Sequence, residues 1–231
     1  MSSPASALPV ETHPTFEKSF SGFLFDMDGT LLNSIAAAER VWSQWAIDHG
    51  LDVATFLPFM HGKRGIDTIS QLNLPGVDPA VEAAKVTAAE IVDVEGVVPI
   101  PGALDFVRNL PADRWAIVTS SPLALAKARM AKAGLTPPKF LVTSEDVAQG
   151  KPAPDCYKLG AERLGFDPAD CLVFEDVAAG VMAGESAGAD VVVITATHEH
   201  PFETTHLQIP GYEGVEAVVG ADGRLSIRRT L

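Results

Sequence analysis

Phe23-Leu24-Phe25-Asp26-Met27-Asp28-Gly29-Thr30 is an unbroken apolar run that gives way to two carboxylates and a glycine. A continuous rather than alternating run is the pattern of a parallel strand covered on both faces. Further runs of this kind are Trp115-Ala116-Ile117-Val118, Phe140-Leu141-Val142, Leu172-Val173-Phe174 and Val191 to Ile194. Between the later ones the residue pattern predicts helices over 123–133, 155–164 and 178–187, each followed by a glycine: Gly134, Gly165 or Gly188. Strands alternating with helices predict an α/β fold, a doubly wound parallel sheet.

The first crossover is too long for that pattern. A strand–helix–strand unit needs about 30 residues, so roughly 60 are surplus between Asp26 and Trp115. They read as helical. Ser34 is expected to cap a helix that turns Ala36, Val41, Trp42 and Trp45 inward and stops at Gly50. Further helices are expected over 67–72 and 79–94. The expected organisation is a flexible tail over 1–20, an α/β core formed by 21–32 and 99–231, and an inserted helical cap over 33–98. Trp42 and Trp45, at helical spacing, read as cap core rather than a sugar-stacking shelf. Residues 215–219 and 225–228, around Asp222-Gly223, read as a peripheral hairpin.

Composition limits the partners. At roughly 150 residues per domain, 231 residues fit one domain carrying a large insertion. Asp and Glu outnumber Lys and Arg by 30 to 17, a net charge of -13 that disfavours nucleic acid and anionic membranes. No apolar run approaches the ~20 residues of a membrane span. Cys156 and Cys171 make no disulfide framework and read as buried thiols of a reducing compartment. With no signal-like start, the expectation is a cytoplasmic protein, a monomer or a weak dimer.

In a doubly wound sheet, ligands bind beyond the carboxyl ends of the strands. Those ends carry Asp26 and Asp28, then Thr119 and Ser120, then Lys151 after a short connection, then Glu175 and Asp176. Asp26, Asp176 and Glu175 offer the hard oxygens that Mg²⁺ prefers. Thr119 and Ser120 suit a phosphate, and Lys151 opposes the carboxylates. Carboxylate, metal, hydroxyl and ammonium together point to phosphoryl transfer through an aspartyl-phosphate, the second aspartate passing protons. His198, Glu199 and His200, in a polar loop, read as no metal site.

Phe25-Asp26-Met27-Asp28-Gly29-Thr30-Leu31 resembles the first motif of the haloacid dehalogenase-like hydrolases, in their phosphatase branch. Thr119-Ser120, Lys151-Pro152 and the 174–180 segment resemble its second, third and fourth motifs, in order. The resemblance spans residues 22 to 200 and implies a Rossmann-like core with a helical cap between the first and second motifs. It implies Asp26 as nucleophile and Asp28 as general acid and base. It also implies a Mg²⁺ held by Asp26, the Asp28 carbonyl and Asp176, with Glu175 close by.

His61-Gly62-Lys63-Arg64-Gly65-Ile66-Asp67-Thr68-Ile69 resembles a cap segment of bacterial sugar phosphatases and of yeast-type glycerol-phosphate and 2-deoxyglucose-6-phosphate phosphatases. The expectation is hydrolysis of a small phosphorylated sugar or polyol, with His61 and Arg64 touching the substrate. Two other readings are weighed. A β-phosphoglucomutase-type transfer is disfavoured because Ala38 stands where that branch carries a histidine. A phospho-accepting receiver domain is disfavoured by the long insertion and by the second acid, Asp28.

Overall fold

A computed structural model describes residues 18–229 of the protein. Strand β1 (Gly22–Phe25) leads through β2 (Leu32–Asn33) into helices α1 (Ile35–Asp48), α2 (Val53–Met60), α3 (Gly65–Leu72) and α4 (Pro79–Val92). The chain returns through β3 (Val98–Pro99) to α5 (Ala103–Arg108), β4 (Trp115–Val118), α6 (Leu123–Ala133), β5 (Phe140–Val142) and α7 (Asp155–Leu164). It finishes with β6 (Cys171–Glu175), α8 (Ala178–Ala187), β7 (Asp190–Ile194), β8 (Leu207–Ile209), β9 (Val215–Val219) and β10 (Leu225–Arg229).

The main sheet has the order β5-β4-β1-β6-β7-β8 with every pairing parallel. Successive side chains leave a strand on opposite faces, and here both faces are apolar. Phe23, Phe25, Ile117, Leu172, Phe174 and Val192 pack on one side with α5 and α6. Leu24, Ala116, Val118, Val173, Val191 and Val193 pack on the other with residues of α7 and α8. That is why the strands read as continuous runs. β1 lies centrally, with Phe25 in register with Ile117 on one side and Phe174 on the other. The ends of β1, β4 and β6 therefore meet at one edge.

Helices α1 to α4 form an inserted cap with a core of its own: Trp42, Trp45, Phe56, Met60, Ile69 and Val86. The indole pair sits 5.7 Å apart and edge-on. Several local expectations are corrected here. The Ser34 side chain makes no cap to α1; its hydroxyl goes to Asp28 instead. The inward face of α1 is Ala37, Ala38, Trp42, Trp45 and Ala46, with Ala36 exposed and Val41 half-buried. The helix expected from Asp67 starts two residues earlier, and the one over 79–94 stops at Val92. α2 was not expected; Asp52 caps it by accepting from the Thr55 N–H at 2.9 Å. The short elements α5, β2, β3 and β8 likewise carry too few residues for a periodic pattern.

Of the expected tail, residues 1–17 lie outside the described residues. Phe20, its last residue, is fully buried and pairs with Leu225 of β10 through hydrogen bonds of 2.7 Å in both directions. The β9–β10 hairpin forms as expected, yet it is not merely peripheral: Leu225 and Ile227 enter the main core. Phe23 touches the rings of Phe20, Phe25, Phe106 and Phe174 in that core. Phe23→Ala is expected to cost about 3–5 kcal/mol, read as a lower denaturant midpoint with an unchanged slope.

Candidate active site

Asp26 leaves β1 with its N–H bonded to the Phe174 carbonyl of β6 at 2.9 Å. Its Oδ1 accepts from the Lys151 ammonium at 2.5 Å. The same ammonium donates to Glu175 Oε1 at 2.6 Å and to the Val118 carbonyl at 3.2 Å. Every donor position of Lys151 is thus used, and its side chain is 1% exposed. Glu175 is equally committed. Oε1 also accepts from the Tyr157 hydroxyl at 2.8 Å, while Oε2 accepts from the Asp176 and Val177 N–H groups.

Asp176 completes the cluster. Ligand oxygens of Asp26, Glu175 and Asp176 lie within 4.8 Å of one another, all buried. Asp176 Oδ1 accepts from Thr30 at 3.2 Å. Two glycines make the crowding possible. A Cβ on Gly29, whose φ is +93°, would fall 1.9 Å from Asp176 Oδ2, and one on Gly180 would fall 1.7 Å from Glu175 Oε1. Of the expected ligands, Asp26, Glu175 and Asp176 are brought together here, and both Glu175 oxygens also accept from protein donors, Lys151 among them. Asp26 and Asp176 fit a hard divalent cation.

Three carboxylates against one ammonium leave two uncompensated charges in a buried space. Burial, opposed by Lys151 but reinforced by Glu175 and Asp28, raises the Asp26 pKa to about 8. Burial, with Glu175 and Asp26 adding to it, holds Asp176 well above the usual carboxylate range. For Lys151 burial works against the ammonium, but the attraction of Asp26 and Glu175 outweighs it and its pKa rises. This imbalance is what a divalent cation would relieve.

Asp28 stands apart from that cluster. Its Oδ1 accepts from Ser34 at 2.6 Å and from Arg129 at 2.9 Å; its Oδ2 accepts from Ser121 at 3.1 Å and Thr119 at 3.5 Å. Arg129, Ser34 and Ser121 were not expected in these roles. The available signal is a charged residue inside an apolar helix stripe: Arg129 lies among Leu125, Ala126, Met130 and Ala133 on the buried face of α6.

The cap is seated on these loops. The Ser120 hydroxyl donates to the Gly62 carbonyl at 3.0 Å, and a Cβ on Gly62 would meet Val177 at 2.4 Å. Arg64 is directed elsewhere than expected. It pairs with Asp67 through two bonds and donates to the Val147 carbonyl at 3.0 Å, which ties cap to core. It does not line the cavity. His61 does, paired with Glu39 at 3.1 Å. Between cap and core lies a cavity of about 660 Å³, bordered by Asp26, Asp28, Asp176, Thr119, Ser120 and His61. His198, expected to be no metal ligand, also borders it and bonds to the Asp176 carbonyl at 2.7 Å.

A family model for haloacid dehalogenase-like hydrolases matches residues 20–188. The chain belongs to that family. This hydrolase is 42% identical over 184 residues to hexitol phosphatase A of Escherichia coli, covering 78% of this chain and 85% of that protein. It is 32% identical over 208 residues to glycerol-1-phosphate phosphohydrolase 1 of Saccharomyces cerevisiae, covering 84% and 82% of the two chains. Its fold is similar to the solved structure of CbbY from Rhodobacter sphaeroides in complex with phosphate. That match has a TM-score of 0.71 at 20% identity and covers 84% of this chain and 95% of the other.

The carboxyl shifts fix the sign of a pH effect. Asp26 and Asp176 hold protons in the folded state at pH values where the unfolded chain has released them, so stability falls as pH rises. With a chelator present, the melting temperature of this hydrolase is expected to drop between about pH 4, the ordinary carboxylate range, and about pH 8. Added Mg²⁺ should raise it more at pH 8 than at pH 5.5 and so flatten the slope.

Proposed function

We propose that this hydrolase is a Mg²⁺-dependent phosphatase that removes phosphate from a small sugar or polyol phosphate by way of phospho-Asp26. The observation that carries the reading is the placement of Asp26 at the cavity border, with Lys151 at 2.5 Å. Lys151 occupies Oδ1, leaving the other carboxylate oxygen to attack phosphorus. The P–O bond to the sugar breaks, and Asp28 gives its proton to the departing alkoxide. Water then attacks the phosphorus of phospho-Asp26 while Asp28 takes a proton from it, and inorganic phosphate leaves. Lys151 stays charged throughout and stabilises the growing charge on the transferred oxygens. A Mg²⁺ held by Asp26, the Asp28 carbonyl and Asp176 would supply charge neutralisation at the same oxygens.

The cavity wall supports a substrate with one phosphate. Glu39, Glu90 and Glu199 face the cavity, while its cations are Lys63 and the doubly paired Arg129. Carboxylates accept from the hydroxyls of a polyol and repel a second phosphate. Ala38 borders the cavity where a mutase-type enzyme has its histidine, which favours release of phosphate over its return to another position. Among the described residues no helix is long and apolar enough to cross a membrane. The buried, unpaired Cys156 and Cys171 fit a reducing compartment such as the cytoplasm.

Asp26→Asn is expected to lower kcat for phosphate release by more than about a thousandfold. Activity near that of the unaltered protein would overturn the assignment. In a phosphate-release screen, hexitol and glycerol monophosphates should exceed sugar bisphosphates in kcat/KM, and a chelator should abolish activity until Mg²⁺ is restored.

A further inference from the structure

Arg129 reaches two carboxylates from two parts of the molecule. Nη1 donates to Asp28 Oδ1 at 2.9 Å, and Nη2 donates to Glu90 Oε1 at 2.8 Å. Asp28 lies in the loop after β1, Arg129 on α6 of the core, and Glu90 on α4 of the cap. Arg129 and Glu90 are 6% and 8% exposed at their side chains. A buried ion pair is weak ground for stability, because apolar groups of the same volume would serve as well or better. Its strength lies in geometry: a planar guanidinium gripped at both ends cannot rotate. The other donors to Asp28 are the neutral hydroxyls of Ser34, Ser121 and Thr119, and Ser121 is itself held by Arg129 at 3.3 Å.

We propose that Arg129 is a positioning residue for Asp28, and that Glu90 makes its hold depend on the cap being seated. If the cap lifts, Glu90 leaves with α4 and the guanidinium loses the partner that fixes its plane. Asp28 then loses a defined orientation for proton transfer. Acid–base catalysis is thereby confined to the closed cavity, where the substrate is enclosed. This inference rests on the reading of Asp28 as the group that protonates the leaving alkoxide.

The test compares glycerol 1-phosphate, whose alkoxide needs that proton, with 4-nitrophenyl phosphate, whose phenolate leaves without one. The quantity read is kcat/KM, which reports the steps up to departure of the leaving group and excludes the later hydrolysis of phospho-Asp26. The double variant Arg129→Met with Glu90→Gln removes the guanidinium together with its buried cap partner, so that Glu90 is not left as a buried unpaired charge and Asp28 keeps only the hydroxyls of Ser34, Ser121 and Thr119. Its kcat/KM on glycerol 1-phosphate is expected to fall about tenfold or more, against less than about threefold on 4-nitrophenyl phosphate. Arg129→Lys, which keeps the charge, should recover part of the loss. Glu90→Gln alone should change the ratio in the same direction by less.

An equal fall on both substrates, or no fall, would overturn the positioning role and leave Arg129 a staple between cap and core. An unchanged ratio in Glu90→Gln would overturn the dependence on the cap. Asp28→Asn serves as the reference. If it fails to discriminate between the substrates, the acid role of Asp28 is wrong; if it discriminates and the Arg129 variants do not, only the present inference fails.

Discussion

Lys151 holds its ammonium between Asp26 and Glu175 in a space closed to solvent, and most of the neighbouring structure answers to that fact. A lone buried charge would be expelled or neutralised. Here the ammonium has three oxygen partners, and Glu175 in turn is bound by Tyr157 and two backbone N–H groups. The absence of a side chain at Gly180 leaves room for Glu175, and at Gly29 for Asp176. What Lys151 does not balance is two of the three carboxylate charges of Asp26, Glu175 and Asp176. Among the described residues Asp176 has Thr30 on one oxygen and no lysine or arginine paired with it. The local fold thus stores an electrostatic demand rather than satisfying it.

The cap acts on a different group. Ser120 to Gly62, Arg64 to Val147 and Glu90 to Arg129 are separate bonds between cap and core. Only the last of them continues to an acidic residue of the site, Asp28. Asp26, the proposed nucleophile, is therefore held by the sheet and its helices, whereas Asp28, the proposed proton-transfer group, is shared with the inserted helices. Asp28 thus meets the inserted segment twice, through the Arg129 guanidinium to Glu90 and directly through the Ser34 hydroxyl at its entry.

Much of this was legible in the chain. Both faces of the main sheet are covered, so β1, β4, β6 and β7 announce themselves as apolar runs, and the polar residue after each run marks the catalytic edge. Asp26, Lys151, Glu175 and Asp176 fall into one group on that basis alone. Elements of a few residues were not legible: α5, β2, β3 and β8 owe their form to packing and carry no period. For Arg64 the sequence shows that a cation is present but not which partner takes it, and Asp67, three residues away, pairs with it here. Ser34 sits where a helix cap belongs, and the stronger acceptor at Asp28 claims its hydroxyl. Arg129 and Glu90 left one trace, a charge interrupting an apolar helix stripe, whose meaning depends on a long-range encounter.

Leu32–Asn33 and Val98–Pro99 pair side by side as a two-strand ribbon, so the inserted segment enters and leaves the core at a single doorway. The sheet sees only that doorway. A foreign helical module of another size, spliced in between Asn33 and Val98, would leave Asp26, Lys151 and Asp176 at the edge of β1, β4 and β6, but would take away Ser34 and Glu90, which reach Asp28 and Arg129. In such an architecture a new module inherits the doorway and the carboxylate edge below it, and has to bring its own partner for Arg129.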